Sequence, residues 1–71
     1  MRTRFEVGQK VRIRSDDPSR FAGLEAVVQD IQPNKEGIAI LNRYVVAFSW
    51  GERQTFYDPQ LSDDAGVRHQ D

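Results

Sequence analysis

The stretch YVVAFSWGERQTFY, residues 44–57, decides the fold of this chain. Its first part alternates, so that Tyr44, Val46 and Phe48 share one face of a strand. The serine, tryptophan, glycine and glutamate that follow predict a tight turn. The remaining residues return as a second strand, which buries Phe56. The stretch is therefore predicted to be a β-hairpin.

A second alternating segment, KVRIR, occupies residues 10–14. Val11 and Ile13 are predicted to point into a core. Gly8, just before the segment, predicts a turn or bulge that directs the strand. The opposite face of the strand is predicted to be a cationic row, formed by Lys10, Arg12 and Arg14.

The middle of the chain supplies another strand. Residues 24–31 predict it, with Val28 and Ile31 both facing inward because a bulge interrupts the alternation. Residues 32–37 predict a hairpin loop, in which Gly37 is suited to a positive φ.

The remaining elements complete an all-β domain. Residues 38–41 predict either a short strand or the flared end of the next one, and residues 58–60 predict a single 3-10 turn before Leu61. Short strands with turn signals and no amphipathic helix favour closure into a five-stranded barrel over residues 1–61. Residues 62–71 are predicted to be a disordered tail. The predicted core consists of Val11, Ile13, Val28, Val46, Phe48, Phe56 and Leu61.

Composition excludes several classes of protein. The absence of cysteine excludes disulfides and predicts a reducing compartment, either the cytoplasm or one like the plastid stroma. No apolar run approaches a membrane span or a signal peptide, which predicts a soluble chain without membrane insertion. Residues 1–20 hold six basic and three acidic side chains, whereas the other 51 hold four basic and eight acidic ones. A net charge of −1 is unlike an autonomous DNA-binding domain, which is usually basic.

The order of these features resembles the SH3-like barrel superfamily over residues 5–61. The motifs that carry the resemblance are VGQKVRI (residues 7–13), FAGLEAVVQDI (residues 21–31), and YVVAF with QTFYDPQL (within residues 44–61). Signalling-type SH3 domains differ, because their adjacent tryptophan pair and tyrosine-rich first motif are absent here. The resemblance implies a small barrel built from five strands.

Within that superfamily the chain resembles small barrel subunits of photosynthetic electron-transfer complexes. These are the variable chain of ferredoxin–thioredoxin reductase, the stromal subunit of photosystem I, and the ferredoxin-docking subunit of the NADH dehydrogenase-like complex. Ile40-Leu41-Asn42 is similar to the variable chain, and Trp50 before Thr55-Phe56 is similar to the docking subunit. The resemblance implies an accessory subunit that docks on a redox complex. The matching positions are Gly8, Val11, Arg12, Ile13, Val46, Phe48, Phe56 and Leu61.

Two other branches of the superfamily compete. The KOW domain of transcription and ribosomal proteins has the signature Gly-x-x-Gly-x-Val, which Gly23 and Val28 match, whereas Ala26 replaces the second glycine. This resemblance implies binding of nucleic acid. The plasmid-type dihydrofolate reductase uses a glutamine and a tyrosine two residues apart. Here Gln54 and Tyr57 are three residues apart, so a regular strand would place them on opposite faces. The chain therefore differs from the reductase at these positions.

The candidate partner-binding residues are Lys10, Arg12, Arg14, Trp50, Arg53 and Tyr57. The cationic row is either a docking site for an acidic protein, a contact for phosphates, or a solvated strand face. Trp50 is either an interface anchor or an indole that folds over the end of the barrel. Arg53 would stack on that ring or extend the contact, and Tyr57 is predicted to face outward.

No residue pattern predicts catalysis, a cofactor or a metal. Asp16-Asp17 and Asp63-Asp64 are adjacent carboxylates, which serve turns better than acid–base chemistry. His69 lies in the predicted tail, and the serines have no base nearby in the pattern. We therefore predict a non-catalytic accessory or regulatory subunit that binds a larger or acidic protein, with a KOW-like nucleic-acid or ribosome-associated module as the alternative. The oligomeric state is left open.

Overall fold

The computed structural model describes residues 3–63, which form one antiparallel sheet and two short 3-10 helices. The strands are β1 (Lys10–Ile13), β2 (Glu25–Gln32), β3 (Arg43–Ala47), β4 (Arg53–Tyr57) and β5 (Leu61–Ser62). The 3-10 helices are Ala39–Leu41 and Asp58–Gln60. The prediction of an all-β chain with a 3-10 turn before the last strand is confirmed.

The five strands lie in the order β4-β3-β2-β1-β5. β4 and β5 are therefore the two edges of the sheet, and within residues 3–63 no ladder of hydrogen bonds joins them. The sheet is five-stranded and antiparallel, while its closure into an SH3-like barrel stays a prediction.

A β-bulge in β2 sets which side chains reach the core. Val28 lies opposite Val46, yet Asp30 lies opposite Val45, so the register shifts by one residue at Gln29. The extra residue lets both Val28 and Ile31 face inward although they are three apart. Val28 is buried and Ile31 is half-buried against the core. The predicted bulge is confirmed.

All seven predicted core residues are buried. The core also contains aromatic side chains from outside the strands. Phe5 lies edge-on to Tyr44, with 5.1 Å between the ring centroids, and Phe21 stacks on Phe48 at 4.8 Å. Rings from the two chain segments that flank β1 thus complete the core. The buried apolar side chains are Phe5, Val11, Ile13, Phe21, Ala26, Val28, Tyr44, Val46, Phe48, Phe56 and Leu61.

The prediction of strand structure at residues 38–41 is wrong. The chain forms a 3-10 helix there, and none of its residues is buried. The reason lies in the loop before it: the Asn34 side-chain oxygen accepts hydrogen bonds from the backbone N–H groups of Glu36 and Ile38, and Gly37 has φ of 76°. These contacts turn the chain away from the sheet.

Arg4 fastens the N-terminal segment to the end of the sheet. Its guanidinium contacts the Asp58 carboxylate at 3.2 Å and donates to the backbone oxygens of Asp58 and Leu61. The Tyr44 hydroxyl lies in the same network: it donates to Asp58 and accepts from the Arg4 backbone N–H. Every polar group brought inside here has a partner, as burial requires.

The predicted disordered tail at residues 62–71 lies largely outside the described residues. Ser62 belongs to β5, where it pairs with Arg12, so the ordered chain extends beyond residue 61. Asp64 and His69 lie outside the part of the chain that the structure describes.

Candidate functional site

Two of the three cations in the predicted row at β1 form ion pairs, namely Arg12 and, just after the strand, Arg14. Arg12 contacts Glu25 at 2.9 Å and donates to the backbone oxygen of Gly23. Arg14 makes two hydrogen bonds of 3.1 Å to the carboxylate of Asp16, and these bonds, with the charge of Arg14, lower the pKa of Asp16. The two arginines therefore offer less net charge to a partner than the sequence suggests, and Lys10 is the cation of the row that stays without a carboxylate among residues 3–63.

Lys10 and Arg53, predicted separately, lie on one face of the sheet. The register runs from Lys10 to Val27, from Val27 to Ala47, and from Ala47 to Arg53, in a single row across four strands. The two cations lie three strand spacings apart, roughly 14 Å. Between them is a shallow groove of about 470 Å³ that contains Val27 and Ala47. This outer face also carries Tyr57, as predicted.

Four cations have no carboxylate partner within residues 3–63. They lie in the loop before the first 3-10 helix, at the start of β3, at the start of β4 and on β1. By contrast, the ion pairs of this part of the chain use the arginines at positions 4, 12, 14 and 20. The unpaired cations therefore lie mostly outside the β1 row. They are Lys10, Lys35, Arg43 and Arg53.

Trp50 forms the outer end of an aromatic stack. Its indole lies on the Phe48 ring at 4.8 Å and 13°, and Phe48 lies on Phe21 at 4.8 Å and 15°. The guanidinium of Arg20 covers the ring of Phe21 at 4.7 Å. Trp50 is 57% exposed, whereas Phe48 is 3% exposed. Trp50 thus packs one face of its indole on the core and leaves the other face in solvent, and its role as an interface anchor stays a prediction.

Glu52 joins the two ends of this stack. Its carboxylate accepts hydrogen bonds from the Trp50 indole N–H at 3.0 Å, from Gln54 at 2.8 Å and from Arg20 at 3.2 Å. The hydrogen bond from Trp50 and then that from Gln54 are the main causes that lower the pKa of Glu52 below its ordinary value of 4.5. The charged form of Glu52 therefore accepts these hydrogen bonds more strongly than the neutral form, and adds to the stacking on Phe48 that orients the indole.

Acidification is expected to weaken the hydrogen bond from the Trp50 indole to Glu52, while the stacking on Phe48 remains. Because the folded pKa of Glu52 is lowered, its contribution is present above pH 4.5 and is lost as the pH falls through the lower folded value. The fluorescence of Trp50, the only tryptophan, should change with a midpoint below 4.5 while the circular dichroism of the sheet persists. Glu52→Gln, which cannot titrate, should abolish this transition. A midpoint above 4.5, or an unchanged transition in the variant, would contradict the assignment.

An exposed apolar surface lies at the first 3-10 helix, and sequence reasoning missed it. Ile38, Ile40 and Leu41 are all exposed, with Ile40 at 61%. Arg43 and Tyr57 lie beside them, paired across β3 and β4. We call these five residues the loop surface. The signal that could have found it is an unbroken apolar run after a glycine, which does not suit a half-buried strand.

A groove of about 440 Å³ crosses the loop surface. Leu41 and Tyr57 supply its apolar walls, and Lys35 and Arg43 supply positive charge. Glu36 is the one carboxylate among the lining residues. The groove therefore combines apolar area with a small excess of positive charge.

Asn42 holds this surface in place. Its side chain is 1% exposed and its oxygen accepts the backbone N–H of Asn34 at 2.7 Å. The backbone of Asn42 also bonds to Ala39 and to Asp58. Because both ends of the loop are fixed through one buried residue, the exposed apolar side chains are presented on an ordered segment.

Comparisons with protein-family models, with curated proteins and with solved structures find no match to this chain. The resemblance to SH3-like barrel subunits therefore stays a prediction. Within residues 3–63 there is no group of three or more histidine, cysteine or acidic side chains placed to hold a metal ion. In the same part of the chain, no helix is long and apolar enough to cross a membrane.

Proposed function

We propose that this chain is a non-catalytic docking module that binds a larger protein through the loop surface. The partner would present an apolar patch bordered by carboxylates. The resemblance to photosynthetic barrel subunits suggests an electron-transfer complex as the class of that partner. The observation that carries the proposal is the run of apolar side chains at residues 38–41, none of which is buried.

In the free chain, leaving this apolar run exposed to water costs free energy. Each Å² of apolar surface left in water forgoes about 25 cal/mol, and small soluble domains rarely leave several large aliphatic side chains together at the surface. The chain as a whole is polar, with a mean hydropathy of −0.67. A partner that covers Ile38, Ile40 and Leu41 would recover this free energy.

The charges beside the loop favour an acidic partner. Arg43 and Lys35 have no carboxylate partner within the described residues, and Lys10 and Arg53 extend positive charge along the outer face. Such charges act mainly on the rate of association and on its salt dependence. The apolar run then supplies the affinity.

Nucleic acid is the second candidate, and the open face of Trp50 favours it. An indole face in solvent can stack on a base. However, the Glu52 carboxylate sits at the edge of the same ring, and Arg12 and Arg14 already contact carboxylates. Both features oppose phosphate binding, so protein docking is the better supported proposal.

Affinity capture with matched variants tests the proposal. The full chain is immobilised in nuclease-treated native lysate, beside the double variant Ile40→Glu and Leu41→Glu. We expect the variant to recover at least about tenfold less of one specific protein. The control is Val7→Glu, which makes the same kind of change at an apolar residue that is 62% exposed but lies outside the loop. Equal recovery by the double variant would refute docking through the loop surface.

The charge contribution has its own test. Arg43→Glu is expected to slow association with the captured protein and to reduce the dependence of the rate on salt, because a steering charge is reversed. Arg14→Glu is the comparison, since Arg14 is already paired with Asp16. A parallel capture from lysate without nuclease tests the second candidate: if it yields nucleic acid, with binding that weakens steeply with salt and is lost in Trp50→Ala, the second candidate replaces the first.

A further inference from the structure

The outer edge of β4 has backbone groups without partners. At the ends of its ladder with β3, the Phe48 N–H donates to the Glu52 oxygen and the Asp58 N–H donates to the Asn42 oxygen. Bonded pairs alternate along an antiparallel ladder. Within β4 the residues bonded to β3 are therefore Gln54 and Phe56, and the backbone groups of Arg53, Thr55 and Tyr57 point away from the sheet.

The two edges of the sheet differ in how they are covered. At β5, Arg4 donates to the Leu61 oxygen. At β4, the Tyr57 N–H is bonded to the Gln60 side chain. No turn, loop or side-chain hydrogen bond within residues 3–63 involves the backbone of Arg53 or Thr55. An open edge of this kind is a template for another strand.

The sequence of β4 is complementary to itself when read in the reverse direction. With Thr55 opposite Thr55 of a second copy, Arg53 lies opposite Tyr57 of that copy on the same outer face. A guanidinium beside a tyrosine ring is a favourable cation–π pair, and a threonine pair is favourable in cross-strand positions. Within β4 no like charges meet directly in this register, and just beyond its ends Glu52 and Asp58 of the other copy are each already bonded to an arginine of their own chain.

We propose that β4 binds β4 of a second copy of this chain, antiparallel, about a two-fold axis at Thr55. Each Thr55 N–H would donate to the Thr55 oxygen of the other copy, and each Arg53 N–H would share the Tyr57 oxygen of the other copy, which also begins the 3-10 helix Asp58–Gln60. The two sheets then join into one continuous sheet. A two-fold interface uses the same patch on both copies, and this edge meets that requirement.

The dimer is expected to be weak, because a short edge strand buries less area than a standard interface. Sedimentation equilibrium of the full chain should give a dissociation constant on the order of 100 µM. Thr55→Lys and Thr55→Glu each place like charges together on the axis, so each variant alone should dimerise at least about tenfold more weakly. Thr55 is exposed, so neither variant should unfold.

Mixing the two variants distinguishes this register from any other. Lysine and glutamate meet only if residue 55 faces its own counterpart, so an equimolar mixture should recover dimer at the wild-type level or above it. The control is Gln32→Lys, an equal charge change on an exposed residue of β2 away from the edge, which should leave dimerisation unchanged. Amide exchange of Thr55 should slow as the wild-type concentration rises.

The proposal fails if wild type remains monomeric at about 1 mM, if the single variants dimerise as wild type does, or if the mixture shows no recovery. The docking and dimer proposals share Tyr57, which belongs to the loop surface and lies opposite Arg53 in the dimer, so each is tested at residues that belong to it alone. Variants at Thr55 leave Ile40 and Leu41 intact, and variants of those two residues leave the edge intact. Each proposal can therefore fail while the other stands.

Discussion

Replacement of Phe48 with alanine is expected to lower the free energy of unfolding by about 4 kcal/mol, the typical cost of removing a fully buried aromatic side chain. Phe48 is the middle ring of the aromatic stack, between Phe21 on the core side and Trp50 on the solvent side. Its loss removes both ring contacts. A chain of this length has a total stability of roughly 4–10 kcal/mol, so the variant should be close to unfolded. Urea titration followed by circular dichroism measures the change.

Trp50→Ala is the matched comparison, with an expected cost of about 1–2 kcal/mol. The indole is more than half exposed, so its removal forfeits one stacking contact and a limited buried area. Phe48 keeps its contact with Phe21. A cost for Trp50→Ala equal to that for Phe48→Ala would mean that the indole closes the end of the sheet as a core residue. The small cost would leave Trp50 available as a surface contact.

Much of the fold could be predicted because alternation is a local property. The pattern at residues 10–14 predicts β1, and the turn at residues 49–52 predicts the hairpin of β3 and β4. Even the bulge in β2 could be predicted, since Val28 and Ile31 cannot share a face in a regular strand. In each case the deciding residues are neighbours in sequence, so no distant contact was needed.

The predictions that needed correction concern features that depend on contacts between residues far apart in sequence. Arg12 is neutralised by Glu25, thirteen residues away, so a row of cations on one strand could not be assessed from that strand alone. Residues 38–41 have the composition of a strand, but Asn34 and Asn42 impose a turn there. The loop surface was missed for the same reason, because exposure is decided by where the loop goes.

Asn42→Ala is expected to lower both the stability of the fold and the affinity for the docking partner. Removal of the side chain leaves the backbone N–H of Asn34 without its acceptor in a part-buried position, which costs about 2 kcal/mol in the free energy of unfolding. The same change removes a contact that holds the loop carrying Ile40 and Leu41. Backbone amides at residues 34–41 should therefore exchange faster than in wild type, while those of the sheet exchange as before.

Binding should fall more than stability alone explains, because the apolar residues must then be ordered again when the partner binds, which costs conformational entropy. We expect about a tenfold weaker affinity for the captured protein, measured at a temperature where Asn42→Ala remains folded. Glu36→Ala is the control for stability and amide exchange, since its side chain is exposed in the same loop and makes no hydrogen bond or ion pair within residues 3–63. If Asn42→Ala loses stability but binds as wild type does, the partner recognises the side chains of the loop without needing their fixed arrangement. If the amides of the loop exchange as slowly as before, the role assigned to Asn42 is wrong.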